Sequence, residues 1–308
     1  MDRRPLGRSE LVIEPLVFGG NVFGWTVDKE TGFAVLDAFV GEGFTAIDTA
    51  DVYGKGKSET MIGEWLKARG NRQSVHIFTK LGAEMSPDKK GLKAAYVKQA
   101  IEDSLNRLQT DYVDLYQSHR PDPDTEQEET LEAFDLLIRA GKVRVIGSSN
   151  FTPQMIRDAH EISVIKSVPR YETEQPEYNL YDRSSFEGEL QDLAVSEQIG
   201  IIPYFSLAAG FLTGKYRSTQ DFTKSPRGGR MDKYLNDKGF RILEALDEVG
   251  KANDATPAEV SLAWLVAQPG VTAPIASATS VDQLKSLAKG VRLKLSEADL
   301  QTLTDAGK

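Results

Sequence analysis

A regular alternation of short apolar runs and longer helical patterns is the feature of this chain that most constrains its fold. Eight runs read as strands, and between them apolar residues recur every three or four positions, as on one face of a helix. Strands that alternate with helices in this way predict a parallel sheet. The strand-like runs are EPLVF, FTAID, VHIFT, YVDLYQ, KVRVIG, KSVPRYE, GIIPYF and VTAPIA.

Capping residues mark where several helices begin and end. Ser58 is a candidate N-cap for a helix over 58–69, which stops before Gly70. Thr152 and Pro153 supply an N-cap and a first-turn proline for a later helix. Pro169 makes KSVPRYE the weakest strand, because proline removes a ladder donor unless it lies near the strand start. Other helices are predicted over 30–42, 97–108, 126–140, 185–198, 236–250 and 257–268, and from 281 and 296 onward.

Eight strand–helix units in a chain of 308 residues fit a (β/α)8 TIM barrel. A hairpin-like stretch around Gly7 precedes the units, and extra helices follow them at the C-terminal end. Because no shift in composition divides the chain, we expect one domain over 1–308. A doubly wound sheet is the alternative fold, but it usually carries G-x-G-x-x-G after its first strand, and this sequence has none.

Composition excludes several kinds of site. The chain has no cysteine, so disulfides, thiolate catalysis and cysteine-ligated zinc are excluded, and with three histidines no metal site is expected. No apolar run approaches the roughly 20 residues that span a bilayer, and the N-terminus lacks the apolar core of a signal peptide. These features predict a cytoplasmic protein without a membrane partner.

The net charge of −9 opposes binding to nucleic acid or to anionic lipid. One segment differs: residues 215–233, here called the basic segment, carry six lysines and arginines against two aspartates. From charge alone it reads either as a solvated loop or as a loop that holds a small phosphorylated ligand.

Polar or glycine residues follow every predicted strand. Barrel enzymes work at the carboxyl ends of their strands, so these residues are candidates for one site. Four of them are ionisable: Asp48, Tyr53, Lys80 and His119, called the rim tetrad below. The remaining strand ends supply Gly20 and Asn21, Ser149 and Asn150, Gln175, Tyr204 and Ser206, and Ser277.

The rim tetrad has the residue types of a proton-transfer site. A tyrosine has a pKa of about 10, and a nearby ammonium such as Lys80 is expected to lower it. Asp48 would keep Lys80 charged, and His119 would donate a hydrogen bond or help pass a proton, with Tyr53 as the general acid. Alternatives are an ordinary ion pair with a surface tyrosine, or a Schiff-base lysine at position 80.

Several longer segments, in this order, resemble the aldo-keto reductase family across nearly the whole chain. The resemblance implies a barrel that binds a nicotinamide cofactor without a Rossmann fold, with the rim tetrad in the family's catalytic positions. It further implies an NADP(H)-dependent carbonyl reductase of bacterial, alcohol-dehydrogenase type, in which Tyr53 protonates the oxygen during hydride transfer. The segments are GFTAIDTADVYGKGKSE, VHIFTK, DLYQSHRPD, GKVRVIGSSNF, EQPEYNL and PYFSLAAGFLTGKY.

The resemblance also implies which residues bind the cofactor. It puts the nicotinamide carboxamide at Ser149, Asn150 and Gln175, the stacking aromatic at Tyr204, and the pyrophosphate loop over 206–215. One departure lies after the eighth strand, where relatives commonly carry an arginine for the 2′-phosphate and this chain reads Ser277, Ala278, Thr279 and Ser280. Because these hydroxyls, or Arg230 or Lys224, could bind the phosphate instead, NADP(H) is expected and NAD(H) is the alternative. The full predicted cofactor set is Gly20, Asn21, Ser149, Asn150, Gln175, Tyr204, Ser206, Leu207, Gly210, Lys215, Arg230, Ser277, Thr279 and Gln283.

The expected partner is a small carbonyl or alcohol substrate, bound by a monomer or a small homo-oligomer. Some members of the family serve as cofactor-binding regulatory subunits of membrane channels, which is the alternative function. Because the sequence contains nothing that looks like an added docking segment, a free enzyme is favoured. Candidate substrate-pocket residues in the rim loops are Asn21, Val22, Trp25, Arg120 and Tyr234.

Overall fold

A computed structural model describes residues 2–308. It opens with an antiparallel hairpin of β1 (Arg4–Pro5) and β2 (Val12–Ile13). Eight further strands pair in parallel in the order β10-β3-β4-β5-β6-β7-β8-β9. They are β3 (Val17–Gly19), β4 (Ala46–Asp48), β5 (His76–Leu81), β6 (Val113–Ser118), β7 (Val143–Ser149), β8 (Thr173–Gln175), β9 (Gly200–Ile201) and β10 (Ile275–Ala276).

Hydrogen bonds between the first and last strands of this order close the sheet. Thr272 N donates to Ile201 O at 2.7 Å, and Ile275 N donates to Pro203 O at 2.9 Å. The sheet is therefore a closed barrel, and the prediction of a (β/α)8 fold is confirmed.

Ten α-helices within residues 2–308 surround the barrel, two more than eight strand–helix units require. Two helices lie between β9 and β10, and two follow β10, which confirms the predicted extra helices. They are α1 (Lys29–Gly41), α2 (Lys57–Arg69), α3 (Ala94–Leu108), α4 (Gln127–Arg139), α5 (Pro153–Lys166), α6 (Glu189–Glu197), α7 (Asp237–Ala252), α8 (Pro257–Val266), α9 (Val281–Arg292) and α10 (Glu297–Ala306).

The hairpin closes the N-terminal end of the barrel. Leu6 and Ile13 are fully buried in one apolar cluster with residues that point into the barrel, among them Phe78 and Leu115. A second, larger cluster fills the space between the strands and the helices. The barrel interior is thus a packed core, and open space remains at the carboxyl rim.

Two local predictions are wrong. The sixth strand does not form on KSVPRYE: α5 runs through Lys166, and β8 begins only at Thr173, beyond Pro169, which has no N–H for the ladder. Ser58 is not an N-cap, because α2 already begins at Lys57 behind a left-handed Gly56. The buried Ser58 hydroxyl instead donates to Gly20 O at 2.8 Å and ties the helix to the barrel.

A membrane-spanning helix would have to be both long and apolar. Within residues 2–308, no helix combines the length and the apolar character that a bilayer crossing requires.

Candidate active site

The strand register brings the rim tetrad together. Asp48 ends β4, Lys80 is the penultimate residue of β5, and His119 directly follows β6. Tyr53 lies in the turn after β4. Because these strands are neighbours in a parallel sheet, their carboxyl ends share one rim, as the sequence predicted.

A buried ion pair forms the centre of the site. Lys80 Nζ lies 2.5 Å from Asp48 Oδ2 and donates to Thr49 O at 2.7 Å. Gln175 and Gln117 direct their side-chain amides at Asp48 Oδ1, at 3.2 and 3.4 Å. All of these groups are buried, so the pair is shielded from water and held from several sides.

The pair keeps the lysine charged. Burial opposes the ammonium of Lys80, but Asp48 and Tyr53 outweigh it, so the pKa of Lys80 is raised above its ordinary value. Burial also raises the pKa of Asp48, against the opposing effects of Lys80 and the two glutamines. Lys80 is therefore an ammonium at neutral pH, which makes it unfit as a Schiff-base nucleophile in this state.

Tyr53 lies against this ammonium, with its hydroxyl 3.5 Å from Lys80 Nζ. Its pKa is nevertheless raised, because burial favours the neutral phenol more than Lys80 favours the phenolate. The expected lowering of this pKa is therefore wrong for the protein without ligands. The tyrosine keeps its proton at neutral pH and can act as a donor.

His119 stands beside the tyrosine, with the two rings almost perpendicular and their centroids 5.9 Å apart. Burial, Lys80 and Arg120 lower the pKa of His119 to about 3. The imidazole is therefore neutral and carries one N–H. Its Nδ1 is buried and has no hydrogen-bond partner among the described residues.

The predicted carboxamide-binding residues also meet at the rim. Ser149 pairs with Gln175 in the register of β7 and β8, and its hydroxyl donates to Gln175 O at 2.8 Å. Asn150 adopts a left-handed conformation, φ +62°, and its amide donates to His119 O at 3.1 Å. The Tyr204 hydroxyl donates to Asn150 Oδ1 at 2.8 Å. One hydrogen-bonded group therefore links these residues to the tetrad.

Glu174 supports this group from below and was missed by the sequence analysis. It is fully buried, accepts from Ser148 Oγ at 2.5 Å, and accepts from Phe151 N at 3.1 Å. Burial outweighs these hydrogen bonds and raises the pKa of Glu174 to about 8. An ionisable residue inside a buried strand, directly before Gln175, was the signal available in the sequence.

A cleft of about 1050 Å³ extends along the rim from Tyr53 and His119 to the basic segment. Asp48 also contributes to its floor, whereas Lys80 lies behind it. Thirteen of the fourteen predicted cofactor residues line it: Asn21, Ser149, Asn150, Gln175, Tyr204, Ser206, Leu207, Gly210, Lys215, Arg230, Ser277, Thr279 and Gln283.

Some residues predicted to contact the cofactor or the substrate do not line the cleft. Gly20 is buried behind the neighbouring Gly19, which lines the cleft in its place. Trp25 is half exposed, with the Arg227 guanidinium 5.4 Å from its ring centre. Tyr234 is buried and stacks on Phe211. Of the five substrate-pocket candidates, Asn21, Val22 and Arg120 line the cleft.

Several lining residues were not singled out from the sequence. Arg227 lies in the basic segment, where charge was the signal. Thr256 caps α8 and contributes the start of that helix, and a capping box was its signal. Thr26 and Ser286 carry no sequence signal that marks them as cleft residues.

The cleft is positively charged although the protein is acidic. Among the described residues that line it, Asp48 is the only acidic one, and it is paired with Lys80. The basic lining residues are Arg120, Lys215, Lys224, Arg227 and Arg230.

Fold and site together define a barrel protein with an acid–base cluster at one end of a long, positively charged ligand cleft. The model of the Aldo/keto reductase family matches residues 15–308. The chain belongs to the aldo-keto reductase family, which confirms the resemblance, and it is an oxidoreductase by class.

Similar proteins come from distant organisms. "Uncharacterized oxidoreductase YrpG" of Bacillus subtilis is 34% identical, covering 99% of this chain and 95% of its own length. "Aldo-keto reductase yakc [NADP(+)]" of Schizosaccharomyces pombe is 32% identical over 90% of this chain and 83% of its own. A "Probable voltage-gated potassium channel subunit beta" of Oryza sativa is also 32% identical, over 92% of this chain and 89% of its own.

Proposed function

We propose that this protein is an NADP(H)-dependent oxidoreductase that interconverts aldehydes or ketones with alcohols, with Tyr53 as the proton donor in reduction. The observation that carries the proposal is the position of Tyr53. Its hydroxyl lies in the cleft wall, 3.5 Å from a lysine ammonium that a buried carboxylate holds in place.

The donors and charges of the cleft suit a nicotinamide dinucleotide. Ser149, Asn150 and Gln175 offer a hydroxyl and two amides close to the tetrad, which matches a carboxamide. The basic segment offers cations for phosphate groups at the other end. When bound, the cofactor supplies the hydride, while the protein supplies orientation and a proton.

The proton step follows from the raised pKa values. Tyr53 is a neutral phenol at neutral pH, and it hands its proton to a carbonyl oxygen that gains negative charge. The ammonium of Lys80 stabilises the phenolate that remains, which lowers the cost of the transfer. Asp48 keeps Lys80 charged and oriented. In the oxidative direction the same tyrosine is the base.

His119 takes a separate role. Because its imidazole is neutral, it can donate one hydrogen bond to the substrate oxygen without competing as an acid. Its backbone carbonyl accepts from Asn150, so the ring is held next to the carboxamide residues.

The choice of NADP(H) over NAD(H) rests on the basic segment. The arginine expected for the 2′-phosphate is missing after the eighth strand, and the Thr279 hydroxyl there already donates to Gln283. Arg230 is exposed at the cleft without a salt bridge or side-chain hydrogen bond to any described residue. A relative named for NADP(+) agrees with this choice. Titration with NADPH and NADH by protein fluorescence tests it, and equal affinities would count against NADP(H).

The test of the proton donor is Tyr53→Phe, assayed as NADPH oxidation with an aromatic aldehyde. We expect kcat to fall about 10²–10⁴-fold while NADPH binding persists, because the substitution removes only the phenol proton. Tyr112→Phe is the control, since that ring lies between two arginines far from the cleft. Full turnover by Tyr53→Phe would remove the tyrosine from the mechanism.

The regulatory-subunit alternative is kept because of the relative named as a potassium channel subunit. It predicts that the protein binds the cofactor but turns over carbonyl compounds weakly or not at all. The wild-type measurement in the same aldehyde assay therefore separates the two functions.

A further inference from the structure

The basic residues of the cleft fall into two groups. Lys215, Lys224, Arg227 and Arg230 all belong to the basic segment, which follows β9. Arg120 stands apart on the loop after β6, directly next to His119 at the tetrad end of the cleft. Under the proposed function, the first group faces the phosphates of the dinucleotide, and Arg120 faces the place of the substrate.

Arg120 is an unpaired cation. It is exposed, and its guanidinium makes no salt bridge or hydrogen bond with any residue in the described chain. The nearest acidic residue in sequence, Asp122, is already engaged by Leu92 N and by the Thr125 hydroxyl. The described part of the cleft lining offers no free carboxylate, because its Asp48 is paired with Lys80.

The loop holds Arg120 close to the reacting groups. His119 is anchored by its N–H to Leu81 O at 2.8 Å and by its carbonyl to Asn150. Pro121 follows and restricts the backbone of Arg120 to extended conformations. The charge of Arg120 reaches the imidazole, where it helps to lower the pKa of His119. The backbone of Arg120 is therefore held at the mouth of the cleft, and its guanidinium is not engaged by any described residue.

We propose that Arg120 determines substrate specificity by binding an anionic group, so that the preferred substrates are carbonyl compounds that also carry a carboxylate. This inference rests on the proposed function. A guanidinium presents a planar fork of donors that matches the two oxygens of a carboxylate. In a cleft whose lining carboxylate, Asp48, is neutralised by Lys80, such a cation attracts an anion even though the whole protein carries −9.

The test compares two aldehydes of similar shape, the anionic 4-carboxybenzaldehyde and the neutral 4-nitrobenzaldehyde, both assayed with NADPH; because their intrinsic reactivity differs, the comparison is made between protein variants. The measured quantity is the ratio of their kcat/KM values. We expect Arg120→Gln to lower the ratio of carboxylate to nitro substrate about tenfold or more relative to the wild type, mainly through the KM of the carboxylate. Arg120→Lys should fall between them, because it keeps the charge and loses the fork.

Arg241→Gln is the matched control. Arg241 is exposed on α7, away from the cleft, and its loss changes the net charge by the same amount. Its ratio should equal that of the wild type. A ratio that Arg120→Gln leaves unchanged, or that Arg241→Gln lowers equally, overturns the inference.

A binding measurement separates this inference from the proposed function. Calorimetry with 4-carboxybenzyl alcohol and 4-nitrobenzyl alcohol, on protein saturated with NADP⁺, requires no turnover. If the wild type binds the carboxylate more tightly and Arg120→Gln abolishes this difference, the inference is supported even when neither aldehyde is reduced. Failure to reduce either aldehyde would count against the proposed function alone. Equal binding of the two alcohols by the wild type overturns the inference.

Discussion

Replacing Glu174 by glutamine should change how the stability of the protein depends on pH. Glu174 is a fully buried carboxyl whose pKa is about 8, raised by burial from 4.5. Glutamine has the same shape, accepts the N–H of Phe151 in the same way, and can donate to Ser148. The substitution therefore removes a titrating group with little change in packing.

The size and sign of the effect follow from the two pKa values. A carboxyl whose pKa is raised by folding stabilises the native state fully at pH below 4.5, and this contribution is lost as pH rises toward 8. The loss is about 1.4 kcal/mol per pH unit within that window, so it reaches about 4 kcal/mol between pH 5 and pH 8 as an upper value. Glu174→Gln has no such loss.

Urea unfolding at pH 5, 6, 7 and 8 measures the difference, with the buried Trp65 and Trp264 as fluorescent reporters. The free energy of unfolding of Glu174→Gln minus that of the wild type should increase steadily with pH and level off above pH 8. Glu132→Gln, at an exposed site on α4, corrects for the loss of one negative charge. A difference that stays constant from pH 5 to pH 8 would refute the reasoning.

Substitutions at Lys80 and Gly63 test a buried ion pair and a close contact between two helices. Lys80→Met should cost about 3–5 kcal/mol of stability, because it leaves the buried Asp48 carboxylate without its counterion. The double variant with Asp48→Asn should recover most of that loss in urea unfolding, and a double variant no more stable than Lys80→Met would contradict this. Gly63→Ala should lower Tm, since its Cβ would lie 2.3 Å from a backbone oxygen of α3, at a cost of about 1–3 kcal/mol. Gly41→Ala, which meets no atom within 4 Å, should leave Tm unchanged or raise it.

The fold and the position of the tetrad were predictable because both follow from periodic patterns. Alternating strands and helices imply parallel strands whose carboxyl ends meet, so Asp48, Lys80 and His119 had to approach one another once the barrel was accepted. Tyr53 reached the same rim because it follows Asp48 by only five residues. These inferences require no knowledge of which side chains are buried.

The features that could not be predicted from the sequence depend on burial and on tertiary contacts. The raised pKa of Tyr53 results from desolvation, which only the packed structure reveals. Ser58 has the residue type of an N-cap, but a left-handed glycine starts the helix one residue earlier. Tyr234 directly follows the basic segment in sequence, yet its ring stacks on Phe211 and does not line the cleft.

The short N-terminal hairpin restricts the route by which ligands reach the site. Leu6 and Ile13 close the N-terminal end of the barrel, so only its carboxyl end is open to ligands. Every molecule that reaches the rim tetrad must enter and leave through the same mouth. A ligand that fills the cleft therefore blocks both the entry of a second molecule and the exit of a product.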